Sequence, residues 1–507
     1  MSRTWGTSSL SHRPLSFGFR VSLAPPSEED RVADADRLRD ALGRLGLRPV
    51  HVPLDVLQKL PDELRKNKFV LPVVMGRTEQ GYAVLDICNS AVFGIALDIG
   101  TTTIECVLFD LNEGKRIDSA SAANPQTVFG ADVLARVQAA MTGRGGELTR
   151  LLREGIDRLI LEVCERNGVS KQKVYAITVA GNTIMSHFFL GLEVGNLPVS
   201  PNIPVMGQPV FCAAAEAALS VHPNAVVYVF PNAGSYVGGD IISGMVAIGI
   251  LGQESPVLFV DAGTNVEITL GCREWIMVGA GAAGPALEGG VADIGRKAEA
   301  GSISHVEIER ESGEARLTVI GEGEPEGICG SGLIDLVSEL FSAGIIDRAG
   351  RFDRDRKGVV VRDGVAAYRL YQSPRNELVF TERELQNFLR SKGAMFALLY
   401  VFLRSVGMKI RDIERIYISG ALGCGINLDS AVNIGMLPDI RREKIVPVGN
   451  SSLTGACQVL RDGTLTDDVL HIRSLITYRE MREDADLLNV LQGALFLPHT
   501  DPELLKG

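Results

Sequence analysis

No stretch of this chain reaches the roughly 18 uninterrupted apolar residues that a membrane span needs. Its opening residues, MSRTWGTSSLSHRPLSFGFR, show no apolar signal core followed by a small-residue cleavage site. Both absences lead to the expectation of a cytoplasmic protein with no membrane partner. Lysine and arginine form no run, and a formal net charge of -11 opposes nucleic-acid binding, because neutralising phosphates needs clustered cations. The eight cysteines, at 88, 106, 164, 212, 272, 329, 424 and 457, include no CxxC and no close cluster with histidine. Scattered this widely they read as reduced thiols, and a zinc or iron–sulfur site built from neighbouring ligands is not expected. The GxxxxGK[ST] phosphate loop is absent, as are the GxSxG turn and any convincing partner set for a serine or cysteine nucleophile.

What is present is an ordinary globular composition: 507 residues, 46% hydrophobic, 22% charged, with 55 glycines for tight turns. A chain this long exceeds one hydrophobic core, so about two to four domains are expected. Residues 1–19 read as a tail and 20–92 as a small α+β module. In that module Ser27 is placed to cap a helix carrying Val32, Ala35, Leu38, Leu42 and Leu45 at helical spacing, ended by Gly46. A second helix is expected over about 54–64, followed by the strand pair KFVLPVVMG and GYAVLDI.

From residue 94 strands, glycine turns and helices alternate. GIALDIG and TIECVLFDL read as a hairpin, GADVLARVQAAM and ELTRLLREGIDRLILEVCERNG as helices, and KVYAITVAGNT as a strand leading into a helix. SPVLFVDAGTNVEITLG is again strand, turn, strand. TERELQNFLRSKGAMFALLYVFLRSVG is a helix with Thr381 and Glu384 spaced as a capping box, apolar on every side from Met395 to Leu403 and therefore buried. IERIYISGALGCG is a strand ending in a glycine turn. The hairpins at Asp98 and Asp261 lie a domain's length apart, which suits a duplicated α/β fold with a cleft between its halves better than a short-period solenoid. The expected boundaries are 93–250 and 251–475 for the halves, with 476–507 as an extension packing on the core.

Chemistry concentrates in the turns. In DIGTTT, Asp98 ends an apolar strand, Gly100 lets the backbone approach a ligand, and Thr101, Thr102 and Thr103 offer hydroxyls and N–H donors for phosphate oxygens. Asp98 would hold Mg²⁺ through water, the usual mode for this ion. In DAGTN, Asp261, Gly263, Thr264 and Asn265 repeat the arrangement, so the two acids are candidates to share the metal. Gly330, Ser331 and Gly332 in GICGSGLIDL, and Gly420, Ala421 and Gly423 in YISGALGCG, are candidates to line a base or ribose. Glu267 and Asp240 are candidate water-orienting bases. His187, in GNTIMSHFFLGL, reads as a packed core residue. GAGAAG, Gly279 to Gly284, matches GxGxxG, but Pro285, Gly289 and Gly290 follow where a dinucleotide-binding fold needs a helix.

The set DIGTTT, DAGTN and ISGALG resembles the phosphate and adenosine motifs of the acetate and sugar kinase, heat-shock chaperone and actin (ASKHA) superfamily. Within it the chain is most similar to the reductive activators of corrinoid proteins. The segments that carry this likeness are LAPPSEEDRVADADRLRDAL, GIALDIGTTT, NPQTVFGADVLARV, AGNTIMSHFFLG, GAAGPALEGG, GICGSGLIDLVSELFSAGIIDRAGRF and DIERIYISGALGCGINLDSAVNIGMLP. The resemblance implies a duplicated actin-like ATPase fold with a nucleotide cleft between two subdomains, preceded by a small α+β domain over 20–92 that is the family's middle domain. It implies ATP and Mg²⁺ as ligands, with Asp98, Thr101, Thr102, Asp261, Gly263 and Thr264 serving phosphate and metal and the later glycine turns the nucleoside. It also implies an activity: ATP hydrolysis driving reduction of Co(II) to Co(I) on a partner corrinoid protein, in a homodimer. The chain departs from well-studied members in showing no ferredoxin domain, which points to a separate ferredoxin-type electron donor. DAGTNVE and SGALGCG differ slightly from the commoner DIGTNGE and AGAFG. A small-molecule kinase and a non-redox, chaperone-like ATPase of the same superfamily stand as alternatives.

Overall fold

A computed structural model describes residues 13–263, 266–281, 287, 289–420, 423, 425–479, 481 and 486–506. The chain divides into two compact units, one running to Ala247 and taking in Ser452–Ser474, the other spanning Ile248–Ser451 and the residues from Leu475 onward.

The first unit begins with a small sheet. Strands β1 (Ser16–Ser22), β2 (Val50–His51), β3 (Val70–Thr78) and β4 (Gly81–Asp86) lie in the order β1-β3-β4-β2, joined by helices α1 (Asp34–Arg44) and α2 (Leu54–Lys66). Leu38, Leu42, Val56, Leu60 and Leu64 on the helices pack with Leu71, Val73 and Val84 on the sheet. Strand β1 reaches into the expected tail, because Ser16 to Ser22 pair in antiparallel register with Gly76 to Val70. Helix α1 starts seven residues later than Ser27. That serine instead closes a turn by accepting from the N–H groups of Glu29 and Asp30, and Asp30 takes the Arg37 guanidinium at 2.8 Å, so the chain is committed to side-chain turns before the helix opens.

The rest of this unit carries β5 (Phe93–Ile99), β6 (Thr103–Asp110), β7 (Lys115–Ala123), α3 (Val133–Ala139), α4 (Gly145–Arg166), β8 (Val174–Gly181), α5 (Thr183–Leu190), β9 (Val210–Ala213), β10 (Val226–Val229) and α6 (Gly239–Ala247). The strand order is β7-β6-β5-β8-β10-β9. β5, β6 and β7 form an antiparallel meander, and β8 and β10 continue parallel to β5. Every residue of β8 is buried, as expected of a central strand covered on both faces.

The second unit repeats this order. β11 (Val257–Ala262), β12 (Val266–Gly271) and β13 (Ile276–Gly281) form the meander. A three-stranded sheet of β14 (Ser302–Ile308), β15 (Ala315–Val319) and β16 (Gly327–Ile328) follows, then α7 (Gly330–Ser342) and a second small sheet of β17 (Val359–Arg362), β18 (Val365–Gln372) and β19 (Glu377–Thr381). Helix α8 (Glu382–Ser405) starts at the expected capping box, with Thr381 and Glu384 bonding each other's backbone. β20 (Ile416–Gly420), α9 (Leu428–Asn433) and β21 (Ile445–Gly449) complete the pattern, β20 running parallel to β11 and β21 parallel to β20. A shared meander followed by two parallel strands in both units is the duplicated α/β architecture that the sequence leads one to expect.

The chain then returns. Helices α10 (Ser451–Arg461) and α11 (Leu465–Leu475) place residues 452–474 with the first unit, whereas the expected boundary kept them in the second half. Thr178 Oγ1 of β8 donates to Ala456 O at 2.9 Å, and a Cβ on Gly455 would lie 1.9 Å from Ser243 O, so small residues let α10 press against α6. β22 (Ile476–Tyr478) joins the second sheet beside β13, and α12 (Leu487–Ala494) packs in the second core. There the buried Lys392 ammonium donates to Ala494 O, Phe496 O and Pro498 O at 2.7, 2.7 and 2.6 Å. Among the described residues no helix is long and apolar enough to cross a membrane.

Candidate functional site

The first turn joins β5 to β6. Gly100 N–H donates to Thr103 O at 3.0 Å, and a Cβ on Gly100 would meet that oxygen at 2.6 Å, so only glycine closes the turn this tightly. Asp98 lies opposite Glu105 in the antiparallel register and beside Ala180 of β8, and its Oδ1 accepts from Ser452 Oγ at 2.7 Å. Three successive carbonyls of the turn are bonded from behind. Asn124 Nδ2 donates to Gly100 O at 2.9 Å, Arg136 Nη2 to Thr101 O at 2.6 Å, and Asn124 N–H to Thr102 O at 2.8 Å. Asn182 Nδ2 donates to Thr101 Oγ1 at 3.1 Å while its Oδ1 caps α5 through Met185 N–H at 3.0 Å. In a planar trans peptide the N–H points opposite to the preceding C=O. The inward carbonyls of Gly100 and Thr101 therefore turn the N–H groups of Thr101 and Thr102 outward, the pattern of an anion-binding nest.

The second turn joins β11 to β12. Asp261 pairs in register with Glu267 on one side and Ser419 on the other. Gly263 is exposed; Thr264 and Asn265 lie outside the described residues. Gly420, at φ +76°, sits where a Cβ would be 2.6 Å from both Ala262 O and Asp261 Oδ1. At Gly423 an added Cβ would lie 2.6 Å from Ile418 O and 3.0 Å from Gly449 N. Ala421 lies outside the described residues. Ser419 Oγ bonds Ser451 Oγ at 2.6 Å and Gly449 O at 3.0 Å, tying β20 to the start of α10.

Both hairpins thus set two carboxylates directly opposite each other, Asp98 with Glu105 and Asp261 with Glu267. Like charges facing across a strand pair repel, and carboxylate oxygens are the donor type that a hard divalent ion such as Mg²⁺ takes. The sequence singles out Glu267 and misses Glu105. It also misses Asn124, Arg136, Asn182 and Ser452, although the polar residues in NPQ and AGN, flanked by proline or a helix start, were the signal that could have found Asn124 and Asn182.

The other candidates are placed as follows. Gly330, Ser331 and Gly332 open α7 behind Cys329. Ser331 Oγ donates to Ser304 O at 3.2 Å, and a Cβ on Gly332 would lie 2.4 Å from Ile303 O, so packing on β14 already requires two of the three. Asp240 sits in the first turn of α6, where its Oδ1 accepts from Ile241 N–H at 2.8 Å. His187 is fully buried, its Nδ1 2.7 Å from Thr183 O and its Nε2 accepting from Val205 N–H at 3.0 Å. Burial lowers its pKa against a smaller raising effect of the Thr183 carbonyl, which keeps it neutral as a core residue. Of GAGAAG, Gly279 and Gly281 end β13 and 282–284 lie outside the described residues. His305 on β14 bonds Asp335 of α7 through Nδ1 and lies 3.4 Å from Glu307 through Nε2. Burial lowers its pKa, but those two acids outweigh it and the net shift is upward. Among the described residues no group of three or more His, Cys, Asp or Glu side chains is arranged to hold a metal ion.

Comparison with known proteins matches nearly all of the chain from residue 8 onward in three pieces. The model of the C-terminal domain of RACo, the ASKHA domain, matches residues 255–507. Those of the RACo middle region and the RACo linker region match 93–253 and 8–91, so in the family's own division the small α+β module is the linker and the label "middle" belongs to the next segment. A solved reductive activator for corrinoid, iron-sulfur protein is 34% identical with a TM-score of 0.90, over 97% of this chain and 81% of that one. The corrinoid activation enzyme RamQ of Eubacterium limosum is 30% identical over 72% of this chain. This chain spans 63% of RamQ's length. A [Co(II) methylated amine-specific corrinoid protein] reductase of Methanosarcina barkeri is 26% identical over 76% of this chain and 73% of its own. With its two actin-like sheets, its two acid-glycine-threonine turns and these matches over nearly the whole chain, the chain belongs to the RACo family and carries that family's ASKHA fold.

Proposed function

We propose that this protein is an ATP-dependent reductive activator, which uses ATP hydrolysis to drive an electron onto the Co(II) corrinoid of a partner protein and so returns it to Co(I). The observation that carries this reading is the 34% identity and TM-score of 0.90 with the reductive activator for corrinoid, iron-sulfur protein. In this reading Gly100, Thr101, Thr102 and Thr103 take phosphate oxygens on one turn and Gly263, Thr264 and Asn265 on the other. On each turn the aspartate, Asp98 or Asp261, would be the residue to take Mg²⁺, which would supply neutralising charge to the phosphates. Glu267 orients the attacking water. Gly330, Ser331, Gly332, Gly420, Ala421 and Gly423 serve the nucleoside. The electron comes from a separate ferredoxin-type donor, and the working form is a homodimer.

The energies are commensurate. A one-electron couple shifts tenfold for about 59 mV, and moving a two-state equilibrium from 1:99 to 99:1 takes about 5.5 kcal/mol, or about 240 mV. A nucleotide-driven change of state can therefore supply a shift of the size an uphill reduction demands.

The test mixes purified protein, ATP and a chemical reductant with candidate corrinoid proteins and follows Co(I) by its absorbance. Co(I) that forms only with ATP supports the reading. No ATP-dependent Co(I) with any partner, together with phosphorylation of a small metabolite, replaces it with a kinase.

A further inference from the structure

Arg136, on α3, is 0% exposed. Its guanidinium donates to Thr101 O at 2.6 Å, to Gly130 O at 3.1 Å and to Gln126 Oε1 at 3.4 Å, and contacts Met185 Sδ at 3.7 Å. None of these partners is an anion. Burial pulls its pKa down to about 10 against a smaller upward effect from Asp132, so it remains a cation at neutral pH. Asp132 is spent elsewhere, capping α3 through Ala135 N–H at 2.8 Å.

A buried charge with no counter-charge bonded to it is costly, and carbonyl acceptors alone could be satisfied by a neutral donor. The cost is offset if an anion arrives within reach of the field. The peptide joining Thr101 to Thr102 links the cation to the phosphate turn: its oxygen is held by Arg136, its N–H points the opposite way, and Thr102 is exposed. Hydrogen bonding at the oxygen polarises the whole amide, and a low local dielectric strengthens such coupling.

We propose that Arg136 is a positioning residue for nucleotide phosphates, a fixed cation behind the first turn that orients and polarises the Thr101–Thr102 peptide and whose contribution grows with the charge of the bound phosphates. The proposal rests on the ATP-binding reading above. It separates Arg136 from Asn124 and Asn182, which hold the same turn without charge. A residue that only braces the turn would support every ligand of the site alike, whereas a charge discriminates by ligand charge.

The experiment is calorimetric titration of the full chain and its variants Arg136→Gln, Arg136→Met and Arg136→Lys with Mg-ATP, ADP, AMP and adenosine, with the melting temperature of each variant as the check on folding. For the neutral variants ATP affinity should fall about tenfold or more, as expected for loss of a full charge near a polyanion in a partly screened site. ADP should fall less, and adenosine should stay within about twofold. Arg136→Lys should recover much of the ATP-to-adenosine ratio. Equal losses for ATP and adenosine, or no loss for ATP in a folded neutral variant, overturn the proposal while leaving the ATPase reading intact. Failure of the unaltered protein to bind ATP overturns both.

Discussion

The Asp98 turn and the Asp261 turn start from the same motif and are held in different ways. Behind Asp98, side chains do most of the holding: Asn124 Nδ2 and Arg136 bond the Gly100 and Thr101 carbonyls, with the Asn124 backbone N–H on Thr102 O, Asn182 bonds the Thr101 hydroxyl, and Ser452 bonds the aspartate itself. Beside Asp261, among the described residues, backbone comes closest, with Gly420 so near that any Cβ would touch the carboxylate. Both turns are therefore sensitive to gaining a single carbon, at Gly100 in the first and at Gly420 beside the second, and the first is sensitive as well to losing polar groups, one increment at a time.

The largest effect should come from the two acids. Asp98→Asn and Asp261→Asn keep the shape and remove the charge, and each should lower ATP hydrolysis by at least about 100-fold, the size of losing one charge-stabilising group at a reacting phosphate. Phosphate-release assays check this; if only one variant is impaired, the two turns are not equivalent partners. Next, Gly420→Ala should cost about 1–3 kcal/mol, since it combines a left-handed backbone with a contact of 2.6 Å. Denaturant unfolding reads that cost, and ATPase activity should fall with it. Asn182→Ala, which removes a helix cap and the bond to Thr101 Oγ1, should cost about 1 kcal/mol and weaken ATP binding modestly.

The smallest effect is in the response to pH, and it has opposite signs in the two units. His187 in the first unit has a lowered pKa, so between its folded value and the ordinary value near 6.5 the unfolded chain binds more protons. Its contribution is present above about pH 6.5 and is lost as the pH falls below it. His305 in the second unit has a raised pKa, so its contribution is complete below about pH 6.5 and is lost as the pH rises through its folded value. The effect at His305 is the smaller, because its ring is partly exposed and solvent screens the pair. Hydrogen exchange, corrected for the intrinsic rate, should show the segment around Val205 opening faster at pH 5 than at pH 7 and β14 doing the reverse. The same direction of change in both segments would refute this assignment.

Much of the fold could be read from local pattern. The two hairpins, the capping box at Thr381 and Glu384, the buried face of α8 and the core placement of His187 all follow from spacing over a few residues. The start of α1 could not, because Ser27 and Asp30 have short-range partners that compete with the helix. Nor could the side chains behind the first turn. Glu105 is nearly as close in sequence to Asp98 as Glu267 is to Asp261, yet without the antiparallel register nothing marks it as the facing acid.

By itself the sequence determined the elements and the turns, because strand alternation, helix periodicity and glycine's freedom to approach backbone act within one turn or one hairpin. Only the tertiary structure decided what surrounds those turns. Arg136 meets Thr101 across 35 residues, Asn182 across 81 and Ser452 meets Asp98 across 354. Such meetings depend on the order of strands in a sheet and on which helix returns to which unit. Those are outcomes of packing the whole chain, which no local spacing encodes.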